Sequence, residues 1–428
     1  MNRLRSGLAG FFLVGVGQLV SLAGSAMSGL ALSVWAWQET GQATTLSLLV
    51  FFRFAPEVLL SPLAGDLIDR WPKKLTMMLS DLGAGVSTIV TLLLLADGRL
   101  ELWHLYALAV WSGAFSAFQA PAFASAVPNM VSEKHYARAN GTLALAQSGA
   151  NVLAPALAGV LLAFVGIRGV LLIDVLTFSA AILTLWIVRI PNLRVESNQA
   201  ESPTFWSRLT YGFRYIGARP PLRTLAVLYM FISIIGAVGM VLLAPLVLAR
   251  SGGSEVALGS VMAALGAGGV AGGLVVSAWG GPKDRMRGVL AWLFAVATLG
   301  YGLTGLAATP LVATAGAFFI TFFLPLMISS HQVIWQTYVP RDVQGRVFAA
   351  RQALGQGVMP VVMLGAGPLA DALGQSPALL ALFGPGAGMV VLFLTTALLG
   401  VLVVAVCLAL PSVRRVEERL LRTVSLRS

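Results

Sequence analysis

Apolar residues along this chain gather in long uninterrupted blocks, not at the spacing of a strand or a surface helix. Twelve such blocks run over 11–37, 44–66, 75–96, 102–127, 140–164, 167–189, 222–249, 256–280, 287–307, 310–338, 347–373 and 387–410, with short polar segments between them. A hydrocarbon core about 30 Å thick needs roughly 20 helical residues to cross it. Lipid leaves no partner for an open backbone group, so the blocks predict transmembrane helices. The first block follows Arg3 and Arg5 and contains small residues from Ala23 to Ser28, as a secretory leader would. It continues past Ser28 to Trp35 and Trp37, long enough to span and ending in interfacial aromatics, so it is read as the first span.

The longest gap between blocks, 190–221, follows the sixth and holds Pro191, Pro203, Pro220 and Pro221. The expected fold is therefore an all-α polytopic membrane protein of twelve transmembrane helices in two six-helix bundles. Its parts are an N-terminal bundle (1–189), a cytoplasmic linker (190–221), a C-terminal bundle (222–410) and a tail (411–428). In the linker Phe205, Leu209, Phe213 and Ile216 recur at helical spacing among Arg208, Arg214 and Arg219. That pattern suits a helix lying on an anionic leaflet, although a solvated linker would tolerate it too. Val413, Val416, Leu420 and Val424 repeat the amphipathic design in the tail. A weak internal repeat at a shift of 208 residues aligns Val131 with Val339 and Arg138 with Arg346.

Composition agrees with lipid as the main solvent: 57% of residues are hydrophobic and 11% charged, with mean hydropathy +0.86, where a soluble domain carries about 25% charged residues. The net charge of +11 is topological, not a nucleic-acid footprint. With both termini cytoplasmic, 24 of the 28 basic residues fall on the cytoplasmic side, leaving Arg99, Arg168 and Arg250 outside and Arg53 within a span. One cysteine, Cys407, excludes an internal disulfide, and three scattered histidines give no metal-ligand spacing. No cofactor is expected.

The loop after the second block runs from Gly65 through Leu67, Asp69, Arg70 and Pro72 to Lys73 and Lys74. It resembles the signature loop of the major facilitator superfamily, G-x-L-x-D-R-x-G-R-K, with Pro72 in place of a glycine. Gly65 permits close helix approach, and Asp69, Arg70, Lys73 and Lys74 can latch to helix ends or opposite charges in one conformation only. Such a latch would hold an outward-facing state. In the fifth block Gly149, Pro155 and Gly159 are similar to the glycine–proline motif of the family's antiporters, with Ala154 and Ala158 replacing glycines. Small residues there favour tight helix packing, which ordinary packing would also use. The stretches 137–141, 172–178 and 345–348 resemble the bacterial subgroup that holds macrolide-efflux and enterobactin-export proteins.

An ionisable group at mid-bilayer costs roughly 2.5–3.5 kcal/mol on insertion scales and so needs a partner, a wet cavity or a task. Arg53 and Glu57, spaced i,i+4 in the second block, can pair. The pair either exchanges a proton for a conformational change or only fixes helix orientation. Asp174 is the next carboxylate, while Asp81 and Asp371 are placed nearer the membrane borders, where hydration lowers the cost. Gln18, Gln119, Gln147, Asn151 and Gln332 are polar residues within spans and could line a cavity for an amphipathic molecule.

The resemblance implies a secondary active transporter, not an enzyme, acting as a monomer in the bacterial inner membrane on a small-molecule substrate, with protons as the coupling ion. Efflux of a drug-like, macrolide-like or siderophore-like molecule is the leading expectation. An importer or a lysophospholipid flippase on the same fold is the alternative. No phosphate-binding Gly-x-x-x-x-Gly-Lys-Ser/Thr loop exists to supply ATP drive, and no Gly-x-Ser-x-Gly elbow marks a hydrolase.

Overall fold

The computed structural model describes residues 8–130, 136–188, 190, 205–340 and 343–410. Inside helices the side chains of 8–9, 61–70, 136–153, 155–156, 205–209, 344–346 and 349, and several between 120 and 129, lie outside that description. Among the described residues every regular element is helical. In chain order these are α1 (Leu8–Thr40), α2 (Ala43–Arg70), α3 (Lys73–Ala96), α4 (Leu102–Met130), α5 (Tyr136–Ile187), α6 (Phe205–Gly217), α7 (Pro220–Arg250), α8 (Glu255–Trp279) and α9 (Arg285–Ala295). A π-helical turn (Val296–Gly302) follows, then α10 (Leu303–Gly305), α11 (Pro310–Tyr338), α12 (Gln344–Gly374), α13 (Pro377–Phe383) and α14 (Ala387–Ala409).

Ten stretches among the described residues are long and apolar enough to cross a membrane. The fourth and fifth expected spans fall on α4 and on the part of α5 before Gly166, which are helical. At 1.5 Å per residue an unbroken α5 of 52 residues would be about 78 Å long, far beyond the bilayer. Gly166, at φ 65° and ψ 179°, breaks it in two, a backbone geometry that a side chain would resist. The burial pattern is that of a protein in lipid. Phe164, Leu176, Leu311 and Val361 turn outward, and exposed Trp71, Trp103, Trp186 and Trp279 mark helix ends.

The chain forms two compact units, Met1–Glu196 with Val247–Ala263, and Ser197–Leu246 with Ala264–Ser428. In the first, α1 lies against the second part of α5 in antiparallel register. Gly17 faces Thr184 and, seven residues on, Gly24 faces Thr177, and in both places a Cβ would collide with the threonine hydroxyl. Glycine thus sets how closely these helices approach where packing, not hydrophobicity, drives association. A core of Phe11, Val14, Met77, Ala122, Leu185 and Val188 fills one end of this unit.

In the second unit Gly268 and Gly272 of α8 sit directly on the Phe318 and Phe322 carbonyls of α11. Tyr301, fully buried in the π-helical turn, packs at 5.6 Å on Phe393, and its hydroxyl stands where a Cβ at position 239 would come within 2.5 Å, so only glycine fits there. Pro325 in α11 and Pro360 and Pro368 in α12 interrupt transmembrane helices, tolerated because neighbouring helices can serve the freed carbonyls.

Candidate functional site

In the first unit two buried carboxylates, Asp174 and Asp81, each collect polar side chains from several helices, at two levels. The first level is a cavity of about 260 Å³ bounded by α1, α2, α3, α4 and the second part of α5. Ser25 and Ser28, Arg53, Thr88, Ser112 and Asp174 are among its polar lining, with each of the five helices contributing, and leucines supply much of the apolar wall. Asp174 is 2% exposed. Its Oδ2 accepts from Thr88 Oγ1 at 2.8 Å and its Oδ1 from Ser25 Oγ at 3.3 Å, so α1 and α3 are tied to α5 through one carboxylate.

Arg53 reaches this cavity because α2 and α4 touch at Gly113, where any Cβ would strike the Arg53 carbonyl oxygen. The next residue back on α4, Ser112, then accepts from Arg53 Nη1 at 3.3 Å. The i,i+4 ion pair expected between Arg53 and Glu57 is not formed. The ion pairs Arg99–Asp97 and Arg287–Asp284 lie instead close to helix ends. Local spacing favoured Glu57, but the side chain turns toward a hydroxyl on the neighbouring helix and into the cavity it shares with Asp174. Glu57 stays half-buried one turn along.

The second level is built on Asp81. Its Oδ2 accepts from Gln18 Nε2 at 2.7 Å, and its Oδ1 from Gln119 Nε2 at 2.7 Å. The Gln119 amide also donates to Gln18 Oε1, closing a ring of three side chains from α3, α1 and α4. Asp81 was expected at a hydrated border. It is instead 3% exposed, because α3 begins at Lys73 and carries the carboxylate about 12 Å along the helix axis, under two glutamines. Gln18 and Gln119, expected to line a substrate cavity, are here the clamp of this carboxylate. The two levels repeat at seven residues on α1 and α3, Gln18 to Ser25 and Asp81 to Thr88. Between them Phe178 lies against Gly85, where a Cβ would fall inside its ring.

Of the expected latch, the Gly65, Asp69 and Arg70 side-chain positions lie outside the described residues. Lys74 is described, and its Nζ donates to the Trp186 and Val188 carbonyls at 3.1 and 3.0 Å, capping the open end of α5. Lys73 is half-buried beside it. In the expected packing motif, Gly159 approaches the Gly259 Cα and the Glu255 carbonyl so closely that a Cβ would come within 2.9 and 3.1 Å of them. Gly149, Pro155, Gln147 and Asn151 fall outside the described side chains. Gln332 is half-buried on α11. Its neighbour His331 is 2% exposed, and its Nε2 either accepts from Trp335 Nε1 within α11, at 3.2 Å, or donates to the Leu225 carbonyl of α7, at 3.3 Å.

The sequence profile of the Major Facilitator Superfamily matches residues 14–363. The chain is 26% identical to macrolide efflux protein A of Streptococcus pyogenes, over 85% of this chain and 90% of that protein. It is 28% identical to the MFS-type transporter YfiS of Bacillus subtilis over 82% and 84%, and 26% identical to the multidrug efflux pump Tap of Mycolicibacterium fortuitum over 85% and 91%. Among solved structures it is similar to a bacterial homologue of the human lysosomal transporter Spinster (TM-score 0.64, 15% identity, covering 94% and 98% of the two chains). It is likewise similar to a bacterial homologue of the iron transporter ferroportin (TM-score 0.65, 16% identity, 93% and 98%).

Proposed function

Because the chain belongs to the major facilitator superfamily, and so is a membrane-spanning transporter, we propose that it exports a small amphipathic organic molecule by alternating access in exchange for protons. The observation that carries this reading is the cavity holding Asp174 and Arg53. A carboxylate that is 2% exposed, hydrogen-bonded from two other helices and set beside an arginine it does not pair with, is a group whose charge state the helices around it would feel. Protonation of Asp174 removes an acceptor that joins α1, α3 and α5. Arg53 would then keep Ser112 as its partner while the hydroxyls reorganise.

The direction of transport and the class of cargo follow the names of the relatives, a macrolide exporter and a multidrug pump. The energy suffices: one proton crossing 100 mV gains about 2.3 kcal/mol and one pH unit adds about 1.36. At about 1.4 kcal/mol per tenfold, together they support a cargo gradient of several hundredfold.

The test is uptake of a radiolabelled macrolide into everted vesicles under an imposed pH gradient. Uptake should be lost with Asp174→Asn while downhill exchange persists. Undiminished uphill uptake by that variant removes Asp174 as the coupling group. No macrolide movement, together with altered lysophospholipid movement, would assign the fold to lipid transport instead.

A further inference from the structure

We propose that Asp81, clamped by Gln18 and Gln119, is a second proton-binding station of the transport cycle, separated from Asp174 by the ring of Phe178 seated on Gly85. The inference rests on the proton-coupled reading above and adds to it where the proton goes after Asp174.

Asp81 lies within a membrane span, 3% exposed, with only neutral amides as partners: Gln18 from α1 and Gln119 from α4. Among the described residues no arginine, lysine, histidine or second carboxylate pairs with it. A structural carboxylate in lipid is ordinarily matched by a cation or placed in water, and this one has neither. The clamp also argues against a bound metal cation. Hard cations need a cage of six or more oxygens, whereas the groups aimed at Asp81 are N–H donors. A proton is the ligand that fits.

Its arrival has a definite consequence. When a proton adds to Oδ1 or Oδ2, that oxygen gains an O–H to donate and becomes a much weaker acceptor for the amide N–H that points at it. A glutamine that turns on that side offers its carbonyl to the new O–H, and this is the rearrangement the proposal assigns to proton arrival. Gln119 already bonds Gln18, so the turn is felt on α1, α3 and α4 together.

Placement makes the site a station, not a duplicate. Asp81, Gly85 and Thr88 form one stripe of α3, and Gln18 and Ser25 one stripe of α1. Seven residues at 1.5 Å each put the two levels about 10 Å apart along the helices, too far for one hydrogen bond to join them. Phe178 is one helical turn beyond Asp174 on α5, is itself buried, and occupies the gap at Gly85. Direct exchange between the carboxylates therefore requires the ring to leave. In the orientation expected from the basic residues, Asp174 serves the outer side and Asp81 the inner.

The experiment needs no known cargo. Infrared difference spectra between acid and alkaline buffer are recorded on the purified full-length protein in lipid, in H₂O and in D₂O. Above the broad background of the chain's other carboxyl groups, two distinct protonated-carboxyl bands from buried groups are expected. Asp174→Asn should remove one and Asp81→Asn the other, and Phe178→Ala should bring their deuterium exchange rates together. If Asp174→Asn removes a band and Asp81→Asn changes nothing, the second station is wrong and the proton-coupled reading stands. Should neither variant change the spectrum, the proton-coupled reading itself falls. If Asp81→Asn does not fold, Gln119→Asn shortens the clamp and should displace the same band, and an unmoved band overturns the assignment.

Discussion

Replacing Gln119 by leucine keeps the volume of the side chain and removes both hydrogen bonds that its amide donates. Asp81 Oδ1 loses a partner at 2.7 Å and Gln18 Oε1 loses its own, in a site where Asp81 is 3% exposed and water cannot substitute. A hydrogen bond to a charged group is worth about 1.5–3 kcal/mol and a neutral one about 1, which sums to a loss of about 3 kcal/mol. Measured hydrogen bonds between transmembrane helices average only about 0.6 kcal/mol, because unfolded segments in the membrane find other partners. The clamp should exceed that mean, since the stranded acceptor is a carboxylate. Reversible unfolding of the purified protein in mixed micelles, in alkaline buffer, reads the difference directly. The Asp81→Leu/Gln119→Leu double variant should cost clearly less than the two single variants added together, because the stranded charge is gone and only Gln18 is left without its partners. A single-variant loss under about 1 kcal/mol, or a double variant as costly as the two singles added together, would refute the idea that Gln119 exists to hold Asp81.

Lys74→Met frees the Trp186 and Val188 carbonyls at an exposed helix end, worth about 0.3–1 kcal/mol, so amide exchange in the last turn of α5 should quicken by about two- to fivefold. Lys74→Arg should restore most of the protection, and equal exchange in all three proteins would show that the lysine caps nothing. Gly24→Val places a side chain on Thr177 and within 2.8 Å of Asp174 Oδ1, and overpacking of that kind costs about 1–3 kcal/mol. Gly236→Ala meets open space in a helix and should gain about 0.5–1 kcal/mol, so thermal denaturation of the two variants should move in opposite directions.

The spans were legible because lipid imposes a length, and a block such as 387–410 reproduces α14 (Ala387–Ala409) almost residue for residue. The break between the fifth and sixth spans was legible for the same reason, with Gly166 at the seam. Partners across helices were not. Asp81 takes its environment from residues 63 and 38 positions away, so its depth alone gave no hint of a clamp. Arg53 and Glu57 illustrate the opposite error: neighbours in sequence on one helix face lost to Ser112, 59 residues on, because α2 and α4 meet at Gly113. The π-helical turn at Val296–Gly302 left no mark on the apolar pattern, since widening a helix by one residue needs no polar letter.

The single-residue bend at Gly166 bears on how the chain is made. With no loop between the two parts of α5, and with Arg168 beside the bend donating to the Leu95 carbonyl at 3.2 Å, nothing sizeable has to be threaded across the bilayer at this point. Joint entry of the fifth and sixth spans as one hairpin is the expected consequence, so that an error in the orientation of either would carry the other with it. A reporter domain fused at Gly166 would interrupt that joint entry, so the bend of this hairpin is the wrong place from which to map the topology of the chain.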